Sequence, residues 1–85
     1  MSDEITILAG QSRAARALLN WSRDELATRC KVSMASLADF EAGKRKPYER
    51  TLADIRRAFE DAGVIFIDEN GEGPGVRLRK NIPAE

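Results

Sequence analysis

The sequence predicts a mainly α fold, four helices followed by a C-terminal β-hairpin, and three observations carry that expectation. Apolar residues recur at three- and four-residue spacing through four segments that end near Gly63. Serine, asparagine, glycine and proline fall where those segments should start and stop. Beyond Gly63 the period changes to short runs of strand type.

The first helix is expected from about Ile7 to Leu19, with Thr6 as its cap, Leu8, Ala15, Leu18 and Leu19 toward the core, and Asn20 at its end. Trp21 follows and reads as a core plug under the helices rather than a base-stacking surface. Ser22 and Glu25 make an S-x-x-E capping box for a second helix over about 23–30, which buries Leu26, Ala27 and Cys30. Only Lys31 and Val32 separate it from a third helix, about 33–42, which Ser33 caps and Gly43 stops, with Leu37 and Phe40 facing inward. The basic loop G-K-R-K-P comes next, and Pro47 opens a fourth helix over about 48–62 that carries Leu52, Ile55, Phe59 and Ala62 along one side.

V-I-F-I at 64–67 and V-R-L-R at 76–79, joined by D-E-N-G-E-G-P-G, read as a hairpin with a glycine-rich loop. Val76 and Leu78 alternate with arginines, as in a strand with one wet face, whereas four consecutive apolar residues predict cover on both faces of the other strand. One monomer's helices cover a single face. Val64, Ile65, Phe66 and Ile67 are therefore expected at a homodimer interface, by edge pairing or face packing; the alternative is that the hairpin only closes a monomeric core. The glycine-rich loop does not read as a phosphate cradle, because it holds Asp68, Glu69 and Glu72 and precedes a strand. R-K-N-I-P-A-E reads as a frayed tail.

Eighty-five residues predict one domain, with no room for a separate catalytic or ligand-binding module. Histidine is absent and cysteine occurs once, so no general base, disulfide or metal-ligand cluster is evident, and neither enzyme activity nor a cofactor is expected. Cys30 reads as a small buried hydrophobe rather than a reactive thiol. The start, M-S-D-E-I-T-I-L, lacks a basic leader and a long apolar stretch, which predicts a cytoplasmic location and no membrane association. The net charge is zero but segregated: residues 11–57 hold eleven basic and six acidic side chains, a balance of +5, and the remainder carries −5. A molecule polarised in this way has one side suited to phosphate.

Residues 26–44, L-A-x-x-x-x-V-S-x-x-x-L-x-x-F-E-x-G-K, carry a resemblance to the lambda-repressor-like helix-turn-helix family. Residues 8–62, about two-thirds of the chain, resemble regulators of the xenobiotic-response-element type and phage repressor and Cro domains. The departure is Lys31, where the family usually has glycine at positive φ; a side chain there costs about 1 kcal/mol. The resemblance implies a DNA-binding domain over 1–63, with the hairpin at 64–80 in the same compact unit, and a transcriptional repressor that binds double-stranded DNA as a homodimer. An antitoxin-like or adaptor protein, whose main role is to bind a protein partner, is the alternative.

The third helix of such a domain lies in the major groove. The base-reading positions then fall on Met34, Ala35, Ser36 and Asp39, of which the first two offer only apolar contact to thymine methyls and none makes a bidentate pair with a purine. Met34 has a plainer reading as an exposed side chain without a role. Arg23, Ser33, the first amides of the third helix, and Lys44, Arg45 and Lys46 are expected on the phosphate backbone; a solvated basic loop is the plainer reading of the last three. Arg16 and Glu41 occupy positions that the family joins by a structural ion pair.

Overall fold

The computed structural model describes residues 6–80 and contains, in order, α1 (Ala9–Leu19), α2 (Arg23–Cys30), α3 (Met34–Glu41), α4 (Glu49–Asp61), β1 (Val64–Ile67) and β2 (Gly75–Leu78). Most of the N-terminal stretch M-S-D-E-I-T-I-L, and most of the C-terminal tail, lie outside the described residues. Helix boundaries follow local chemistry. Ser22 Oγ accepts from the Glu25 amide at 3.1 Å, Ser33 Oγ accepts from the Ser36 amide at 3.1 Å, and each bond satisfies an amide that has no partner inside its helix. Asn20 ends α1 at φ 63°, with the Trp21 amide bonded to the Arg16 carbonyl at 2.9 Å. Gly43 ends α3 in the same manner at φ 77°, and the Lys44 amide reaches the Asp39 carbonyl at 2.8 Å.

The start of α1 differs from the sequence expectation. Leu8, not Thr6, is the capping position, and its amide donates to Gln11 Oε1 at 2.9 Å. The phase of the helix differs too: Leu8 and Leu18 are 36% and 43% exposed, while Gln11, Ser12 and Ala15 face the interior and Ile7 is buried. Small and amide side chains let α1 approach its neighbours closely, and the long leucines point outward. Pro47 precedes the α4 cap, Tyr48, instead of opening the helix.

Lys31 sits in the α2–α3 turn at φ 60°, with its amide on the Ala27 carbonyl at 2.8 Å. A Cβ is disfavoured in this left-handed conformation. Lys31→Gly is therefore expected to raise stability by about 0.5–1 kcal/mol, read as a melting-temperature increase of a few degrees; a decrease would show that the Lys31 side chain compensates for its backbone.

The core gathers Ala15 of α1, Leu26 and Cys30 of α2, Leu37 and Phe40 of α3, and Leu52, Ile55 and Phe59 of α4, closed by Ile7, Val64 and Phe66. Burial pushes the Cys30 thiol above its ordinary pKa, which keeps it protonated and unreactive near neutral pH. An aromatic column crosses this core. Trp21 is half-buried and stacks on Phe59 with centroids 5.7 Å apart, and Phe59 meets Phe66 at 6.2 Å. Guanidinium groups close both ends, Arg29 at 4.5 Å from the Trp21 ring and Arg56 at 4.7 Å from the Phe66 ring.

β1 and β2 pair antiparallel, Val64 with Leu78 and Ile67 with Gly75, and the two strands pack on α4 and α1 respectively. Burial alternates along β1: Val64 and Phe66 lie in the core, Ile65 and Ile67 are half-exposed. The expectation that this chain's own fold leaves all four residues to a partner is thus narrowed, since the helices already cover one face. The sheet has two strands, so each keeps an edge open to no other strand; Val64 of β1 is 1% exposed, whereas Arg77 and Leu78 of β2 are exposed. Gln11 anchors the ribbon, donating from Nε2 to the Gly75 and Ile67 carbonyls at 3.1 and 3.4 Å. In the connecting loop, Glu69 Oε2 accepts from the amides of Gly71 and Gly73, at 2.9 and 3.1 Å, so the loop is organised around its own carboxylate.

Candidate nucleic-acid interface

α1 and α3 are locked together by Glu41, whose side chain is 1% exposed. Arg16 Nη2 donates to Oε1 at 2.8 Å and Nε to Oε2 at 3.1 Å, a bidentate fork. Ser12 Oγ donates to the same Oε2 at 2.5 Å, and Arg13 Nη1 donates to the Glu41 main-chain carbonyl. Arg16 Nη1 also holds the Trp21 carbonyl at 3.2 Å, which ties the end of α1 to the start of α2. This network fixes the angle at which α3 leaves the core.

α3 buries Leu37, Phe40 and Glu41 and leaves Met34 and Ala35 exposed, Met34 at 43%; Ser36 and Asp39 are partly exposed beside them. The Ser33 hydroxyl accepts from the Ser36 amide and donates to Ser36 Oγ at 3.1 Å, which leaves the Met34 and Ala35 amides without a partner inside the helix. These amides sit at the positive end of the helix dipole, where an anion is favoured.

Lys44, Arg45 and Lys46 are all exposed. Ion pairs take Arg16, Arg29 and Arg56 out of the excess positive charge: Arg29 pairs with Glu25 at 2.7 Å and Arg56 with Glu60 at 2.9 Å, while Arg56 also holds the Thr6 carbonyl at 2.7 Å. Among the described residues none of the three loop cations, nor Arg23 at the start of α2, forms an ion pair. A cleft of ≈ 370 Å³ joins Ser36 of α3 to Arg45 and Lys46 of the loop, with Tyr48 and Thr51 on its far wall. Every side-chain polar group on that wall can donate a hydrogen bond and none is a carboxylate, which suits phosphate oxygens.

A helix-turn-helix family model matches residues 13–60, more than half of the chain, from Arg13 in α1 to Glu60 in α4. The chain belongs to the lambda-repressor-like helix-turn-helix family. It is thus a DNA-binding regulator, and the outward face of α3 and the basic loop acquire their context from that membership. No curated protein matches the chain. Among the described residues no helix is long and apolar enough to cross a membrane.

Within this helix-turn-helix unit, sequence reasoning missed Ser12 and Arg13 in the Glu41 network and Tyr48 and Thr51 in the cleft. Tyr48 falls at helical spacing before the Leu52, Ile55, Phe59 stripe, yet as the extended cap of α4 it is 86% exposed, which marks it for a contact outside the core. The candidate residues fall in two groups. Ser36, Arg45 and Lys46 converge on the cleft, whereas Arg23 is placed by α2 alone.

Proposed function

We propose that this protein is a transcriptional repressor that binds a pseudo-palindromic operator as a homodimer, with Met34, Ala35, Ser36 and Asp39 at base edges and Arg23, Lys44, Arg45 and Lys46 on phosphates. The observation that carries this reading is the pairing of an outward α3 face with a loop of three cations that no carboxylate of the described residues neutralises. The reading face is poor in groups that pair bidentately with bases, so selectivity rests on apolar contact to thymine methyls, on rejection by the Asp39 carboxylate and on DNA shape. Two half-sites about 34 Å apart, one turn of the duplex, supply the remainder.

The dimer contact is assigned to the outer face of the hairpin, where Ile65 and Ile67 stand half-exposed beside Arg77, and to the open edge of β2. Light scattering is expected to give a dimer for the full chain and a monomer for Ile65→Arg/Ile67→Arg, with DNA affinity falling in step. A monomeric wild type, or a dimer that survives the double substitution, removes this interface. Selection from a random duplex pool should enrich an inverted repeat; a direct repeat or an unenriched pool contradicts a two-fold reader.

One observation favours a second reading, an antitoxin-like or adaptor role. The open edge of β2 carries Arg77, with Arg79 and Lys80 following, none of them ion-paired among the described residues, a template for an acidic strand of another protein. A folded chain that shows no salt-dependent DNA binding would favour it.

A further inference from the structure

A second cavity, ≈ 280 Å³, lies between the start of α1 and the loop that follows α3. Its floor is apolar: Ile7, Phe40 and Leu52, each nearly closed to solvent, are the residues at its base. Its rim is the run Lys44, Arg45 and Lys46, and Leu8, 36% exposed, stands at its mouth. Among the described residues no acidic side chain borders it. The site therefore pairs a hydrophobic floor with cations that lack ion-pair partners among the described residues.

We propose that this cavity binds a small carboxylate bearing one hydrophobic group, and that the bound carboxylate competes with DNA for the basic loop; the competition rests on the phosphate-binding role proposed for Lys44, Arg45 and Lys46. Charge and polarity select the ligand class. An apolar floor holds water weakly, so a hydrocarbon group that displaces it gains free energy. The carboxylate then accepts charge-assisted hydrogen bonds from the rim, which neither an uncharged isostere nor a bare headgroup obtains together with burial. A volume of ≈ 280 Å³ is at the small end of ligand sites, which run from about 300 to 1,000 Å³, and suits a ligand with a single ring. Benzoate has that size. Its oxygens would occupy the donors that phosphate oxygens need, so ligand and DNA exclude each other, and by linkage each weakens the other's binding equally.

Two titrations of the full chain at constant ionic strength test this. In the first, amide resonances are followed against benzoate, benzamide and acetate. Saturable benzoate shifts centred on Leu8, Gly43 and Lys44, at least tenfold tighter than with either control and abolished in Leu8→Glu, are expected. Shifts no tighter than those with acetate or benzamide, shifts centred elsewhere, or shifts that persist in Leu8→Glu overturn the site. In the second, DNA binding is measured by anisotropy with benzoate at ten times its own dissociation constant, where exclusive binding weakens the apparent DNA affinity about tenfold. Unchanged DNA affinity with the cavity occupied overturns the competition. Absence of DNA binding without benzoate instead overturns the assignment of the loop to phosphate, and the resonance shifts still decide the cavity.

Discussion

Glu41→Ala is expected to destabilise the domain by about 3 kcal/mol, the lower end of the range for removing one partner of a buried pair, because Arg16 keeps a fifth of its side chain in water. For a domain of this size that corresponds to a fall of about 12–24 °C in melting temperature. The cost comes from what is left behind. Without the carboxylate the Arg16 guanidinium, the Ser12 hydroxyl and the α1–α3 junction lose a shared acceptor at once. Ser12→Ala alone removes one neutral donor and should cost about 1 kcal/mol. Arg16→Met and Glu41→Gln should be non-additive in a double-mutant cycle, since they break the same fork. Melting temperatures within about two degrees of wild type for both single variants would show that the network contributes nothing.

Replacing Lys44, Arg45 and Lys46 together by alanine is expected to abolish measurable DNA binding at physiological salt while leaving the fold intact. All three side chains are exposed, so stability should move by no more than about 0.5 kcal/mol per position. Each phosphate that is no longer neutralised takes about 0.9 off the slope of log affinity against log salt, so removing three cations per subunit flattens the slope by about five for a dimer. An unchanged slope in a folded variant would mean that the loop is merely solvated. Met34→Ala separates reading from holding, because it should alter sequence preference without altering the salt slope.

The four helices and their order were legible because the signals that set them are local. Ser22, Ser33, Asn20 and Gly43 act on amides and carbonyls within five residues of themselves, and each lies where the structure uses it. The positive φ of Lys31 was legible from the resemblance, as was the Arg16 and Glu41 match. Gln11 and Ser12 were not, because their partners lie 64 and 29 residues away and a polar residue on a helix reads as solvent-facing until those partners are known. The same ignorance misplaced the α1 stripe. Leu8 and Leu18 satisfied a helical period, yet a different period through Gln11, Ser12 and Ala15 faces the neighbours, because close approach to Glu41 and the hairpin needs short or hydrogen-bonding side chains.

The hairpin was legible as an element, and so was the limit that the chain's own helices cover one of its faces. Which residues take that face was not: α4 and α1 cover Val64 and Phe66, and Ile65 and Ile67 keep an outer face for the proposed dimer. Tyr48 escaped notice because nothing local distinguishes a contact aromatic from a core one; its exposure at the edge of the cleft does.

The most direct test of the DNA-reading surface is a fluorescence-anisotropy titration of the full chain on a mixed-sequence duplex across a salt series, with circular dichroism confirming the helical fold in each buffer. A unit that grips DNA through the α3 amides and the basic loop predicts a straight fall of log affinity with log salt, with a slope between about −5 and −9 for six to ten phosphate contacts. A folded chain that binds no DNA at low salt, or binds it without salt dependence, contradicts the central claim that α3 and the Lys44–Lys46 loop form a DNA-reading surface.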